Sequence, residues 1–148
     1  MPLEIQTILT ESALDKGTVE KIEAEGFEIY LLDSQPIMVK TFNGKVFPPL
    51  TFSEGLNVMP KIVVDQGALP YLCKGADVMR PGIVNMVGRF SDGSLLVVVE
   101  ERFNKPIAVG LSLFSDEEMR LLKQGKVAEN IHFVGDRVWN FIRNLKKD

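Results

Sequence analysis

The residues best suited to binding chemistry lie together in Val64–Gly82, where Gly67-Ala68 and Gly75-Ala76 flank a short helix-like segment and Pro81-Gly82 follows. Glycine has no Cβ, so a ligand or another stretch of backbone can approach it closely. Lys74 and Arg80 supply the nearest positive charges, and Tyr71 and Asp77 complete the polar and aromatic set. A groove floored by small residues and edged by cations suits a phosphate–sugar backbone, because phosphates are held by cations and by close main-chain approach.

Each of these residues also has a plainer reading. The glycines serve equally in tight turns or close helix–strand packing. Lys74 and Arg80 could be solvated surface charges. Tyr71 could stack on a base or line the groove wall. Asp77 would repel phosphate, so it either accepts from a base or ribose or, as the stronger expectation, fixes a turn by accepting backbone amides. Lys126, after Gly125, is a further phosphate candidate.

Catalytic constellations are absent from the sequence. His132, the single histidine, has Ser112 and Asp136 nearby. A triad, however, needs an oriented base and an oxyanion hole, and no Gly-x-Ser-x-Gly elbow is present. A buried, neutral histidine bonded within a closing strand is the expected role. Trp139 is expected in the core or as a plug at the barrel end, and Cys73 is expected as a small buried apolar residue. No Walker loop, catalytic carboxylate pair or His–carboxylate cluster appears, so neither a cofactor nor enzymatic activity is expected.

Composition sets the frame for these residues. The chain has 148 residues, 45% hydrophobic and 25% charged, as in a globular protein of one ordinary or two small domains. No apolar run nears the roughly 18 residues of a membrane helix, and the polar, acidic start carries no visible secretory signal. One cysteine excludes an intrachain disulfide, and an intracellular, cytoplasmic setting is expected. Charge is uneven. Residues 1–60 carry 4 Lys and Arg against 9 Asp and Glu, whereas residues 61–148 carry 13 against 11. That contrast divides the chain into an acidic unit, 1–60, and a mildly basic unit, 61–148.

The elements that must position the site follow from periodicity and punctuation. A helix capped by Thr10 or Ser12, with Leu14, Val19 and Ile22 on one face, is expected to end at Gly26. Strands follow over Phe27–Asp33 and Pro36–Phe42, and Asn43-Gly44 signals a hairpin with a type I′ turn. Thr51–Val58 reads as a short helix or turn. In the second unit Lys61–Val64 is a strand, and Asp65 caps a helix over Gly67–Lys74 with Pro70 in its first turn. Gly82–Phe90, Leu95–Glu100, Pro106–Leu113 and Ile131–Val134 are strands. Ser115 and Glu118 form a capping box for a helix to about Lys123, with Gly125 suited to its C′ position. Asp136–Lys147 is helical. Many short strands with few short helices predict an α+β chain whose second unit is a small barrel-like domain.

These motifs carry a family likeness. Val64–Gly82 resembles the opening of a PUA domain. Pro106–Gly110, Ser115–Met119, Gly125-Lys126 and the closing stretch His132-Phe133-Val134-Gly135-Asp136-Arg137-Val138-Trp139 continue the likeness in order. Asn43–Leu50 resembles the pre-PUA domain of the malignant-T-cell-amplified-sequence family and its archaeal relatives. The resemblance implies a small N-terminal α/β pre-PUA domain followed by a PUA pseudo-barrel of mixed strands. It also implies non-catalytic binding of structured RNA, either a tRNA acceptor and 3′ CCA end or the small ribosomal subunit, in translation initiation or recycling. Carried over by position, the RNA surface is Gly67, Ala68, Tyr71, Lys74, Gly75, Ala76, Asp77, Arg80, Pro81 and Gly82, with Lys126 beside it. A protein-interaction adaptor with a partner on the N-terminal domain, or a non-catalytic subunit of an RNA-modification or ribosome-biogenesis complex, are the alternatives.

Overall fold

The computed structural model describes residues 18–145. A four-stranded antiparallel sheet comes first, in the order β1 (Val19–Ala24), β2 (Phe27–Leu32), β3 (Gln35–Thr41) and β4 (Val46–Phe47). The expected first helix is corrected here: Val19–Ala24 is a strand, paired along its whole length with Phe27–Leu32. The part of that helix before residue 18 lies outside the described residues. Val19 and Ile22 are three apart and so mimic a helical stripe. The effective period is two: Ile22 and Ala24 pack against the core while Lys21 and Glu23 face solvent. Gly26, at φ +98°, makes the tight reversal into β2.

Turn chemistry also moved. The type I′ conformation expected at Asn43-Gly44 occurs instead at Asp33-Ser34, whose φ values are +49° and +68°. The β3–β4 hairpin is present but has a longer loop. Gly44 N donates to Thr41 O at 3.0 Å, Thr41 N donates to Lys45 O at 2.9 Å, and only Gly44, at φ +89°, is left-handed. After a short helix, α1 (Ser53–Asn57), the chain enters a six-stranded sheet. Its strands are β5 (Lys61–Val64), β6 (Val78–Met79), β7 (Ile83–Val87), β8 (Leu95–Glu100), β9 (Pro106–Ser112) and β10 (Lys126–Phe133). They lie in the order β6-β10-β9-β8-β5-β7, and β5 runs parallel to β8.

The Ser115–Glu118 capping box forms as expected and starts α3 (Asp116–Leu121). That helix stops before Gly125, which is not its C′ residue; at φ +93° it turns the chain into β10. A further helix, α4 (Arg137–Leu145), closes the described chain.

Strand β8 explains how the two sheets are joined. Its sequence, Leu-Leu-Val-Val-Val-Glu, is buried at every position. Leu95, Val97 and Val99 point into one core, together with Phe27, Ile29, Val39, Phe47 and the α4 residues Val138 and Ile142. Leu96 and Val98 point into a second core with Ile62, Val64, Leu72, Met119 and Val127. A strand covered on both faces reads as a continuous apolar run, because successive side chains alternate sides and neither side is wet. The first core therefore lies between the four-stranded sheet, one face of the second sheet and α4, and the second fills the curl of the six-stranded sheet.

Candidate functional site

Asp65 begins the site. Its Oδ1 accepts from Ala68 N at 3.0 Å and so caps a 3-10 turn, Gln66–Ala68, that leads into α2 (Leu69–Leu72). Pro70 sits in the first turn of α2, where its missing N–H costs no intrahelical bond. Beyond α2 the chain turns at Gly75, passes through β6 and makes a second 3-10 turn, Arg80–Gly82. Asp65 N donates to Gly82 O at 2.9 Å, which brings the two turns side by side.

Between them lies a groove of about 660 Å³. Of the residues expected from sequence, Gly67, Ala68, Tyr71, Ala76, Asp77, Pro81, Gly82 and Lys126 line it. Tyr71 is 68% exposed, so most of its ring is open to a ligand. Val64, Leu72, Val78 and Met79 add an apolar floor that sequence reasoning did not assign.

Lys74, Gly75 and Arg80 stand apart from this lining. Lys74 is exposed beyond it. Gly75, at φ +96°, makes a left-handed turn, and a Cβ there would come within 3.3 Å of the Phe133 ring. Gly75 thus answers to the turn-and-packing reading. Arg80 is half-buried; its Nε donates to Met119 O at 2.8 Å and its Nη1 to Ile83 O at 3.4 Å, so it clamps α3 against the groove wall. The cationic edge is therefore narrower than the sequence suggested, and the floor is more apolar. Cys73, expected to be buried, is exposed. Its position follows Leu72 around α2, and Leu72 takes the inward face.

Asp77 fixes structure, although not in its own turn. Its Oδ1 accepts from Asn130 N at 2.9 Å, and its Oδ2 lies 3.5 Å from Lys126 Nζ. Asn130 Nδ2 donates to Leu72 O and Ala76 O, each at 3.0 Å, tying the end of α2 to β10. Glu100 provides a second brace. It is 4% exposed, and its carboxylate accepts from the amides of Arg102, Phe103 and Lys105 and from Gln66 Nε2. The Asp77–Asn130 bond and the Glu100–Gln66 bond were not legible in the sequence, since each joins residues brought together only by folding, whereas the Glu100 bonds to the amides of Arg102, Phe103 and Lys105 close a local loop.

His132 is buried as expected, but its hydrogen-bond partners lie outside the closing strand, because folding brings Leu50 and Asp136 to its two ring nitrogens. It is fully buried; Nδ1 donates to Asp136 Oδ2 at 2.9 Å, and Nε2 accepts from Leu50 N at 3.1 Å. That pair of bonds assigns the neutral Nδ1–H tautomer. The nitrogen that would have to take a nucleophile's proton is already occupied by a backbone N–H. Ser112 Oγ donates to Phe114 O, so no triad is assembled. Trp139 is half-buried against the first core, with the Arg143 guanidinium 5.7 Å from its ring centre.

Two buried carboxyls, Glu100 and Asp116, and the half-buried Asp136 make the fold acid-sensitive. Burial pushes Glu100 up, but its amide and Gln66 hydrogen bonds outweigh this and hold it below the usual carboxylate range. Asp116 is held low by the Phe90 amide, against burial, with help from Arg89. Burial raises Asp136, and the bonds from His132, Trp139 and Phe133 more than reverse it. Each group binds its proton more weakly when folded than when unfolded. Their stabilisation is therefore complete above the unfolded carboxylate pKa of about 4 and is lost as pH falls through the lower folded values. Urea midpoints are expected to drop as pH falls below about 4; a midpoint at about pH 3 equal to that at about pH 5 would contradict this.

A curled sheet with a capped helical turn between its first two strands, opening beside the second 3-10 turn into a small-residue groove, defines the PUA class of domains. Residues 60–134 match the PUA domain family. A PUA-domain structure from Aeropyrum pernix superposes with a TM-score of 0.79 at 22% identity, covering 99% of this chain and 91% of that one. An uncharacterized protein of Methanocaldococcus jannaschii is 42% identical over 129 residues, spanning 85% of this chain and 78% of its own. Translation machinery-associated protein 20 of Schizosaccharomyces pombe is 28% identical over 93% of this chain and 80% of its own length. Malignant T-cell-amplified sequence 1 of Rattus norvegicus is 23% identical over 78% and 66%. This chain belongs to the PUA-domain family, in the company of the translation machinery-associated and malignant-T-cell-amplified-sequence proteins.

Proposed function

We propose that the protein is a non-catalytic RNA-binding factor of translation. Residues 1–60 form a pre-PUA unit and residues 61–148 form the RNA-binding unit. The carrying observation is the single groove that gathers Gly67, Ala68, Tyr71, Ala76, Asp77, Pro81, Gly82 and Lys126. An apolar floor with an exposed tyrosine at its rim suits nucleobases and ribose, whereas Lys126 and the nearby exposed Lys74 suit the phosphates between them. The proposed ligand is structured RNA, a tRNA acceptor end or the small ribosomal subunit. Relatives named for the translation machinery support the setting.

Titration of the protein with deacylated tRNA at several salt concentrations tests this. The wild type is expected to bind with a salt dependence that falls by about 1–2 in log–log slope in the Lys74→Gln, Lys126→Gln double variant, one phosphate contact being worth about 0.9 on duplex RNA taken as similar to DNA. No binding at low salt would overturn the proposal and move the function to protein partners of the acidic N-terminal unit.

A further inference from the structure

The β8–β9 loop, residues 101–105, carries three side chains that the fold does not need. Phe103 is 76% exposed, the Arg102 guanidinium lies 5.3 Å from its ring centre, and Lys105 is exposed beside it. Neither Arg102 nor Lys105 forms an ion pair among the described residues. An aromatic ring left in water beside two free cations gains nothing from folding.

The loop is held in place, and it is held to the groove. Glu100 Oε1 accepts from Phe103 N at 2.6 Å and from Lys105 N at 3.2 Å. Its Oε2 accepts both from Arg102 N at 2.8 Å and from Gln66 Nε2 at 2.7 Å. Gln66 N in turn donates to Glu101 Oε2 at 3.1 Å. Gln66 opens the same 3-10 turn whose next residues, Gly67 and Ala68, form the groove wall. One buried carboxylate therefore sets the position of the aromatic loop relative to the groove. Asn104, at φ +57°, turns the tip in a conformation that asparagine tolerates better than most residues.

We propose that this loop is a second RNA contact, in which Phe103 stacks on an unpaired nucleobase and Arg102 and Lys105 hold its flanking phosphates, while the rest of the same RNA occupies the groove. The inference rests on the groove being an RNA site. The ligand chemistry follows from the groups present: a π-face for a base, two unpaired cations for the anionic backbone, and continuity with the groove through Gln66. Stacking requires a base free of its helix, so a fully paired RNA would not use Phe103.

The test uses the full chain and two labelled RNA stem-loops, one with a single-stranded 3′ CCA tail and one blunt-ended. Phe103→Ala is expected to weaken binding of the tailed RNA by about tenfold or more, from the cost of one lost base–aromatic stack, and to leave the blunt RNA unaffected. Phe103→Tyr should retain tailed-RNA affinity, and Arg102→Gln with Lys105→Gln should lower the salt slope by about 0.7 per single-strand phosphate lost. Wild-type affinity in Phe103→Ala for the tailed RNA, alongside loss in the groove variant Gly67→Trp, would overturn the loop contact alone. Failure of the wild type to bind either RNA would overturn the groove reading and this inference with it. Because the Phe103 side chain is exposed, unfolding does not confound the comparison.

Discussion

Gly67→Trp is expected to lower RNA affinity by about 10- to 100-fold while leaving the thermal midpoint within a few degrees of wild type, since the loss corresponds to displacing one or more stacked nucleotides at about 1–3 kcal/mol each. The separation of binding from folding rests on what surrounds this glycine. Its φ lies outside the left-handed region, and a Cβ there would meet only Asp65 Oδ1, at 3.4 Å. An added side chain is thus tolerated by the backbone and must extend over the groove that Gly67 lines. Gly75 offers no such probe, because its φ of +96° and the Phe133 ring at 3.3 Å would make a substitution unfavourable for folding itself. RNA titration paired with thermal denaturation of the same sample reads both quantities. Wild-type affinity in a folded Gly67→Trp protein would remove the groove from the RNA path.

His132→Ala is expected to destabilise the protein by about 3–5 kcal/mol, a large share of the 5–15 kcal/mol typical of a domain. Its imidazole is fully buried and satisfies two partners at once: the Asp136 carboxylate, which also caps α4 through Trp139 N at 2.8 Å, and the Leu50 amide. Alanine leaves the Leu50 N–H without its acceptor and opens a cavity beside Phe47, whose ring centre lies 5.5 Å from that of the histidine. Leu50 precedes α1 and His132 lies in β10, so the bond joins the segment after the first sheet to the closing strand of the second. Urea denaturation should show a lower midpoint with an unchanged slope. RNA binding under conditions where the variant remains folded should persist, because His132 does not line the groove. A loss below about 1 kcal/mol would mean that the amide finds another acceptor.

The extent to which this protein could be read from its residues varies with the range of the interaction. Short-range devices were legible. The Ser115–Glu118 capping box and the Asp65 cap need only residues three apart, and both form. The apolar run Leu95–Glu100 was legible as a strand, and the structure shows it buried on both faces. The groove residues were also largely legible, because Gly67, Ala68, Ala76, Pro81 and Gly82 cluster in sequence and the turns that carry them are local.

Errors arose where one local pattern fits two structures. Val19 and Ile22 suit a helix until β2 offers a partner strand, and Asn43-Gly44 suits a two-residue type I′ turn until the β3–β4 register, with Lys40 opposite Val46, leaves a longer loop. Outside those local caps, the use of the charged side chains around the groove was decided by tertiary structure. Arg80 could have faced phosphate, but the carbonyl of Met119, brought close only by folding, takes its Nε. The same is true of Asp77 with Asn130, Glu100 with Gln66, and His132 with Leu50. Motifs spread along the sequence carried the resemblance to the family, and the sequence by itself placed most strands along the chain and the address of the groove, because hydrophobic period and turn chemistry are properties of neighbouring residues. Which polar groups remain free to meet a ligand was settled only by the folded chain, because each donor and acceptor is claimed by whatever partner the packing brings within about 3 Å.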